Sequence, residues 1–427
     1  MQKRLKKIGL GLVAVGLSLV LLLTVAIPVC EAGPDEKLIN VGHRTSFIGA
    51  LASSTAPFAE GGLDCVRCYN DYRGGINGIP LKCLWEENHS EGVKDITIHK
   101  RFVTAGVVLE YCYTTLGGET TAIMQQRDEV PLLNGAGVTE GQYTDPIPWV
   151  FGSLPTWNIA VATLLKRLKA EWAEPRPMRF GMIFYNHPSG FSSKRGIPEY
   201  CARNGIEWVG HEVVPLLGAI DVSTELLRLA AKKPDWVYAT MYGATLVTTI
   251  KDARRLGLRE KGIKFSGSPN SVDLVILNTA GARSIEGWYV QRITPSAWEP
   301  ELFGMKFPQL EMLCKGAKRY RGYEVEEIPE FYVGGWACCL VGLEAIRMAV
   351  EKVGIENLTG RAVRDTLASM KNVETGIVMN PINMSDEKPY FVDRLTLYQA
   401  RGSKIVPVGA PLETVDPAEV GGLRPTS

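Results

Sequence analysis

The chain has 427 residues, 45% hydrophobic and 22% charged, with a formal net charge of +1. That balance belongs to a globular protein with a large apolar core and enough length for more than one domain. No Lys/Arg-rich tract supplies the basic patch that nucleic acid demands, so a nucleic-acid partner is excluded.

The N-terminus stands apart. Lys3, Arg4, Lys6 and Lys7 precede an uncharged apolar run from Ile8 to Val29, the pattern of an export signal. Residues 1–32 are therefore read as a signal peptide or N-terminal anchor. Three fates are open: cleavage after Ala32, retention of a run close to the ~20 residues that span a bilayer, or lipid attachment at Cys30. Each leaves the rest of the chain outside the cytoplasmic membrane, in the periplasm or on the membrane's outer face.

From Lys37 onward short apolar runs alternate with helical patterns. "KLINVGH" reads as a strand and "FAEGGLDCVRCYNDY" as a helix ended by Gly74 and Gly75; Asn77-Gly78 then turns the chain into the strand "IPLKCLWEE". "GVVLEYCYTT" is a strand, "TTAIMQQRD" a helix, "VPLLNG" a strand and "WNIAVATLLKRLKAEW" an amphipathic helix. After "EPRP" the same grammar restarts. "MRFGMIFYN" is a strand, "GFSSKRGIPEYCARNG" one helix ending at Gly205, "IEWVGHEVV" a strand, and "DVSTELLRLAAKK" a helix capped by Asp221 or Ser223. "PDWVYAT" is a strand and "ATLVTTIKDARRLG" a helix with Leu246, Ile250, Ala253 and Leu256 on one side; "GIKFSGS" and "IEGWYVQRI" add strands. Two more helices follow, one carrying Trp336, Leu340, Leu343, Ile346 and Val350 on one face, the other Val363, Leu367 and Met370. The last segment is a hairpin turning at Gly402 with no helix after it.

Strands alternating with helices imply an α/β fold with parallel sheets, and the restart after "EPRP" implies two Rossmann-like lobes. Nine cysteines are an odd number. Cys65 and Cys68 share a helix face and, with no second C-x-x-C or histidine pair, read as structural; Cys338 and Cys339 read as core residues.

In open α/β sheets ligands bind beyond the carboxyl ends of the strands, beside helix N-termini. That rule selects five loops: 114–117, 134–138, 186–191, 241–243 and 266–270. Their residues are small, hydroxylic or aromatic, and none is Asp, Glu, Lys or Arg. This suits binding rather than catalysis. The chain has no G-x-S-x-G elbow, Ser-x-x-Lys or P-loop, and its five histidines show no metal-ligand pairing, so neither enzymatic activity nor a cofactor or metal is expected.

The stretches "APFAEGGLDCVRCYNDYRGGINGIPL", "TTLGGETTAI", "VPLLNGAGV", "RFGMIFYNHPSGFSSKRG", "PDWVYATMYGATLVTTIKDARRLGL" and "GGWACCLVGLEAIRMAVEKVG" together resemble the type I periplasmic substrate-binding proteins of ABC importers, in the branched-chain amino acid (Leu/Ile/Val) group. The resemblance implies two lobes joined by a three-crossover hinge, here 38–156 with 293–383 and 157–292 with 384–427. They close on a small-molecule ligand that the protein, as a monomer, hands to ABC permease subunits in the membrane. A ligand-sensing module of a signalling system on the same fold is the alternative. Carried over by position, the ligand contacts fall near Thr115, Leu116, Gly137 and Val138 in the first lobe and near Ser189, Met241 or Tyr242, and Pro269 in the second, with the rings of Phe47, Phe191 and Tyr242 nearby. The amino acid binders place an aromatic residue at Ser189 and an acidic one near Pro269, where it pairs with the ligand ammonium. This chain lacks both, which points to an organic acid, an aromatic acid or an amide.

Overall fold

The computed structural model describes residues 37–49, 51–216 and 219–423; the leader reading over 1–32 and the reading of Cys30 lie outside them. The first sheet is built by β1 (Ile39–Thr45), α1 (Ala52–Arg73), β2 (Leu81–Glu87), α2 (Gly92–Thr104), β3 (Leu109–Cys112), α3 (Thr115–Asp128), β4 (Leu132–Asn134) and β5 (Val150–Gly152). Its strands are all parallel in the order β2-β1-β3-β4-β5. Gly74 ends α1 in the left-handed conformation (φ 67°), and Asn77 and Gly78 (φ 52° and 81°) make a two-residue turn closed by reciprocal Ile76–Ile79 hydrogen bonds of 2.9 Å. Both central φ values are positive, which glycine and asparagine tolerate best.

The second sheet begins after a crossing at Ser153–Thr156. It comprises α4 (Trp157–Ala170), β6 (Arg179–Tyr185), α5 (Pro188–Lys194), α6 (Ile197–Arg203), β7 (Glu207–Val214), α7 (Ser223–Ala231), β8 (Trp236–Thr240), α8 (Gly243–Arg255), β9 (Lys264–Gly267), α9 (Leu274–Ala280), α10 (Ala282–Ile285) and β10 (Tyr289–Arg292). The order β7-β6-β8-β9-β10 repeats that of the first sheet, so each has a switch point beside its first strand. The chain crosses back at Ile293. A small hairpin of β11 (Glu301–Leu302) and β12 (Met305–Lys306) then leads to α11 (Gln309–Arg321), α12 (Glu330–Val353) and α13 (Gly360–Leu367). A third crossing, at 389–392, runs beside the first through Gly152 N to Pro389 O (2.8 Å) and Phe391 N to Gly152 O (3.1 Å). Finally β13 (Arg394–Arg401) extends the second sheet antiparallel to β10, and β14 (Lys404–Pro407) and β15 (Leu412–Glu413) pair antiparallel to β13. This is the two-lobed α/β architecture with three crossovers.

The two lobes draw on distant parts of the chain. Helix α12 lies along α1 with almost no gap: a Cβ on Gly335 would sit 1.9 Å from the Phe58 carbonyl oxygen, and one on Gly61 2.0 Å from that of Tyr332. Only glycine permits that approach. One turn further, the Cys65 thiol meets Cys339; burial, then that neighbour, pushes it far above the ordinary thiol range. Tyr111 on β3 donates to the Cys339 carbonyl at 3.1 Å.

Some local expectations needed revision. The single helix over 190–205 is two, α5 and α6, because Gly196 adopts φ 68° and Pro198 opens the second. The cap of α7 is an Asp221 carboxylate accepting from Ser223 N at 2.8 Å, although Val222 occupies the cap position itself. After the hairpin a short 3₁₀ turn forms at Pro417–Val420. Helices α2 and α11 have no counterpart among the expected elements. The first buries the polar His99 and Asp95 along with Ile98 and Phe102, the second the small Gly316 and Ala317 with Leu310 and Leu313.

Candidate functional site

Between the facing carboxyl ends of the two sheets lies a narrow cavity that opens to solvent. Each of the five strand-end loops contributes to its wall, through Thr114 and Thr115, Gly135 and Ala136, His187, Tyr242, and Pro269 and Asn270. Helices α1, α4 and α12 close the remaining sides with Phe58, Trp157 and Phe331. None of the described lining residues is Asp, Glu, Lys or Arg.

Aromatic rings form a continuous belt around this space. Tyr113 to Phe58 is 5.2 Å between centroids, Phe58 to Phe331 5.8 Å, Phe331 to Tyr242 5.8 Å, and Tyr242 to Trp157 6.0 Å, all tilted or edge-on. Such pairs add to the value of the buried area. Since Tyr113 and Phe58 belong to the first lobe and Tyr242 to the second, the belt spans the cleft.

Hydrogen bonds fix the wall. Thr114 caps α3 by accepting from Gly117 N at 3.1 Å. The hydroxyl of Thr115 donates to Gly137 O at 3.3 Å, so what Thr115 offers inward is an acceptor lone pair and the free N–H groups of the helix's first turn. Asn134 holds the next loop by donating to Thr114 O and accepting from Ala136 N. Tyr242 donates to Pro269 O at 2.9 Å, and Asn270 sits at φ 59° with its N–H bonded to Gln291 O at 2.8 Å. The Nδ1 of His187 accepts from Ser189 N at 3.3 Å, which leaves Nε2 to carry the proton; burial pulls this imidazole down to about 4, so it is neutral near pH 7. His43, behind Tyr113 and bonded to it at 2.8 Å, is pulled down to about 3 by burial.

Beneath the cavity floor two charges meet. Arg292 at the end of β10 and Glu330 at the start of α12 are both buried and lie 2.6 Å apart, in an ion pair without an aligned hydrogen bond. The Arg292 guanidinium also rests 4.5 Å from the Tyr398 ring. Beside them Asp273 caps α9 through Ile276 N at 2.8 Å; burial, then the charge of Glu330, pushes its carboxyl up to about 7.

Of the residues singled out from sequence, Thr115, Tyr242 and Pro269 line the cavity. Gly137 and Val138 stand behind the wall, Gly137 (φ 83°) against the indole of Trp157 and Val138 bridged to Thr156. Ser189 is turned to His187 and Tyr185, and Met241 is buried with its sulfur accepting from the Thr249 hydroxyl. Leu116 packs toward Gly92, Phe47 packs edge-on to Trp85, and Phe191 is 47% exposed against Phe184. Sequence reasoning missed Phe58, Trp157 and Phe331, while Asn270 fell inside the selected loop 266–270 without being singled out. Trp157 had a signal, as the first residue of a helix that directly follows a lobe crossing. Among the described residues no group of three or more His, Cys, Asp or Glu is placed to hold a metal ion.

Comparison with known proteins agrees with this geometry. A search of the curated proteins found no match. Among solved structures, a branched-chain amino acid ABC transporter protein from Thermus thermophilus with bound valine superposes with a TM-score of 0.77 at 16% identity, covering 89% of this chain and 97% of that one. An ABC transporter substrate-binding protein from Aeropyrum pernix gives 0.77 at 15% identity, covering 90% and 97%. A fatty acid ABC transporter substrate-binding protein from Thermomonospora curvata gives 0.73 at 14%, covering 88% and 93%. Identities this low establish the shared fold. The family model described as periplasmic binding protein matches residues 39–404, so the chain belongs to the periplasmic binding protein family.

Proposed function

We propose that this protein is the extracytoplasmic solute-binding receptor of an ABC importer, capturing a small organic ligand in the cleft and delivering it to a membrane permease. The observation that carries the reading is the uncharged, aromatic-belted cavity at the joint carboxyl edge of two parallel sheets. A binding function needs two states. The lobes, 38–156 with 293–383 and 157–292 with 384–427, swing about the three crossovers, and a ligand touching both walls favours the closed form. The N-terminal leader puts the protein outside the cytoplasmic membrane.

The ligand carries an apolar body and one carboxylate or amide head. Rings suit the body, while N–H groups at the start of α3 suit a carbonyl or carboxylate oxygen. A zwitterionic α-amino acid fits poorly, because its ammonium meets no carboxylate in the wall and a buried charge without a partner costs several kcal/mol. The test is a thermal-shift panel on protein unfolded and refolded to strip carried ligand. Amino acids, aromatic acids, fatty acids and amides are compared. A ligand at 1,000 times its Kd stabilises the fold by about 4 kcal/mol. A selective, saturable shift supports the receptor reading, silence across the panel overturns it, and tight binding of leucine overturns the ligand class.

A further inference from the structure

Two fully buried polar side-chain atoms of the lining residues lack a partner in the protein. The indole Nε1–H of Trp157 and the side-chain Oδ1 of Asn270 are buried, with residue exposures of 5% and 4%, and neither makes a hydrogen bond. Leaving such groups unmet is unfavourable, and a ligand in the cleft is the natural partner for those among the lining residues. Both are held in unusual settings. The indole lies against Gly137, where a Cβ would come within 2.8 Å of the ring and where φ is 83°, a conformation that excludes most side chains. Asn270 adopts the left-handed region at φ 59°, which asparagine and glycine tolerate best. By contrast the wall hydroxyls spend their protons inside the protein, Ser54 on Leu51 O, Thr55 on Ser46 O and Thr115 on Gly137 O.

We infer that Trp157 and Asn270 are the specificity-determining polar pair of the cleft, selecting an uncharged ligand that bears both a carbonyl acceptor and an N–H donor, as a carboxamide does. This rests on the receptor reading above and narrows its ligand class. Trp157 supplies a donor to the ligand oxygen. Asn270 supplies an acceptor to the ligand N–H. A carboxylate satisfies the first and leaves Oδ1 unmet, since it has no proton to give that atom. An α-amino acid has both functions but brings a cation that the uncharged wall does not balance.

The experiment uses the refolded full chain and three probes, benzamide, benzoate and L-leucine, titrated by calorimetry. Wild type is compared with Trp157→Phe, which keeps the ring and removes the N–H, and with Asn270→Gly, which keeps the positive φ and removes the acceptor. Unliganded melting temperatures of both variants check folding. The 15N-indole resonance of Trp157, assigned by its loss in W157F, is followed in wild type as a readout independent of stability. The expected result is benzamide binding at least tenfold tighter than benzoate or leucine. Each substitution should weaken it about tenfold, and the indole resonance should move downfield on saturation. Benzoate or leucine binding tightest, or benzamide binding unchanged in both folded variants, overturns the inference and leaves the receptor reading intact. Failure of all three probes overturns it too, and the broader ligand panel then decides the receptor reading separately.

Discussion

Replacing Glu330 by Gln should cost far more than a surface charge would. Glu330 and Arg292 are 2% and 1% exposed and tie the start of α12 to the end of β10, in other words one lobe to the other. At an effective dielectric near 20, two charges ~4 Å apart attract by about 4 kcal/mol. Their contact is ionic without an aligned hydrogen bond, so the amide recovers little of this and Arg292 is left charged in the interior. The expected loss is about 3 kcal/mol or more, in line with breaking a buried pair. Urea unfolding followed by tryptophan fluorescence measures it. Asp273 shapes the pH dependence of the loss. Its carboxyl is held up to about 7 by burial first and by Glu330 second; the variant keeps only the first cause, so Asp273 ionises at a lower pH than in wild type, offers Arg292 a second counter-charge, and the deficit should shrink as pH rises. The double variant Arg292→Met with Glu330→Leu should recover most of the stability. A loss below about 1 kcal/mol at pH 6 would refute the reasoning, because it would mean that Arg292 is adequately solvated without its partner.

Three further outcomes follow from the same geometry. Gly335→Ala forces a Cβ into the Phe58 carbonyl and should destabilise by about 3 kcal/mol, whereas Gly78→Ala, with open space around it, should cost only its backbone strain of about 1 kcal/mol; chemical unfolding of both variants compares them. His187, lowered to about 4 by burial, takes up a proton near pH 6.5 when unfolded but not when folded, so stability falls as pH drops from about 6.5 toward 4. His187→Asn, which keeps a cap on α5, should reduce the slope of that limb in a stability-versus-pH series, the remainder coming from His43, which burial pulls down to about 3. Asp273 acts with the opposite sign: its raised folded value gives stability that is present below about pH 4 and lost as pH rises through 7. Asp273→Asn should therefore be more stable than wild type at pH 8, and an unchanged slope between pH 5 and 8 would count against it.

The lobed α/β plan was legible because parallel strands are short apolar runs bounded by helices, and β1, β6 and β8 all carry that mark. The five loops were legible for a topological reason: whatever follows a parallel strand must emerge at one edge. What stayed hidden came from helices that arrive from elsewhere. Phe331 lines the cavity after a return of nearly two hundred residues, and no period in "FYVGGWACC" says which turn faces a cleft. Trp157 reads as the first apolar residue of an amphipathic helix until its indole nitrogen is seen without an acceptor. Ser189 shows the converse, since being on the correct loop did not turn it inward: His187 takes its hydrogen bonds.

The seam between α1 and α12 also has a temporal side. The glycine face of α1 is made near the start of synthesis, yet the surface that covers it is some 270 residues later, and β13 must return later still to complete the second sheet. Neither lobe can finish its core until most of the chain exists, and contacts so distant in sequence form slowly. A nascent chain of this topology stays open while it is being made, the state in which a polypeptide can still be threaded through a narrow membrane channel.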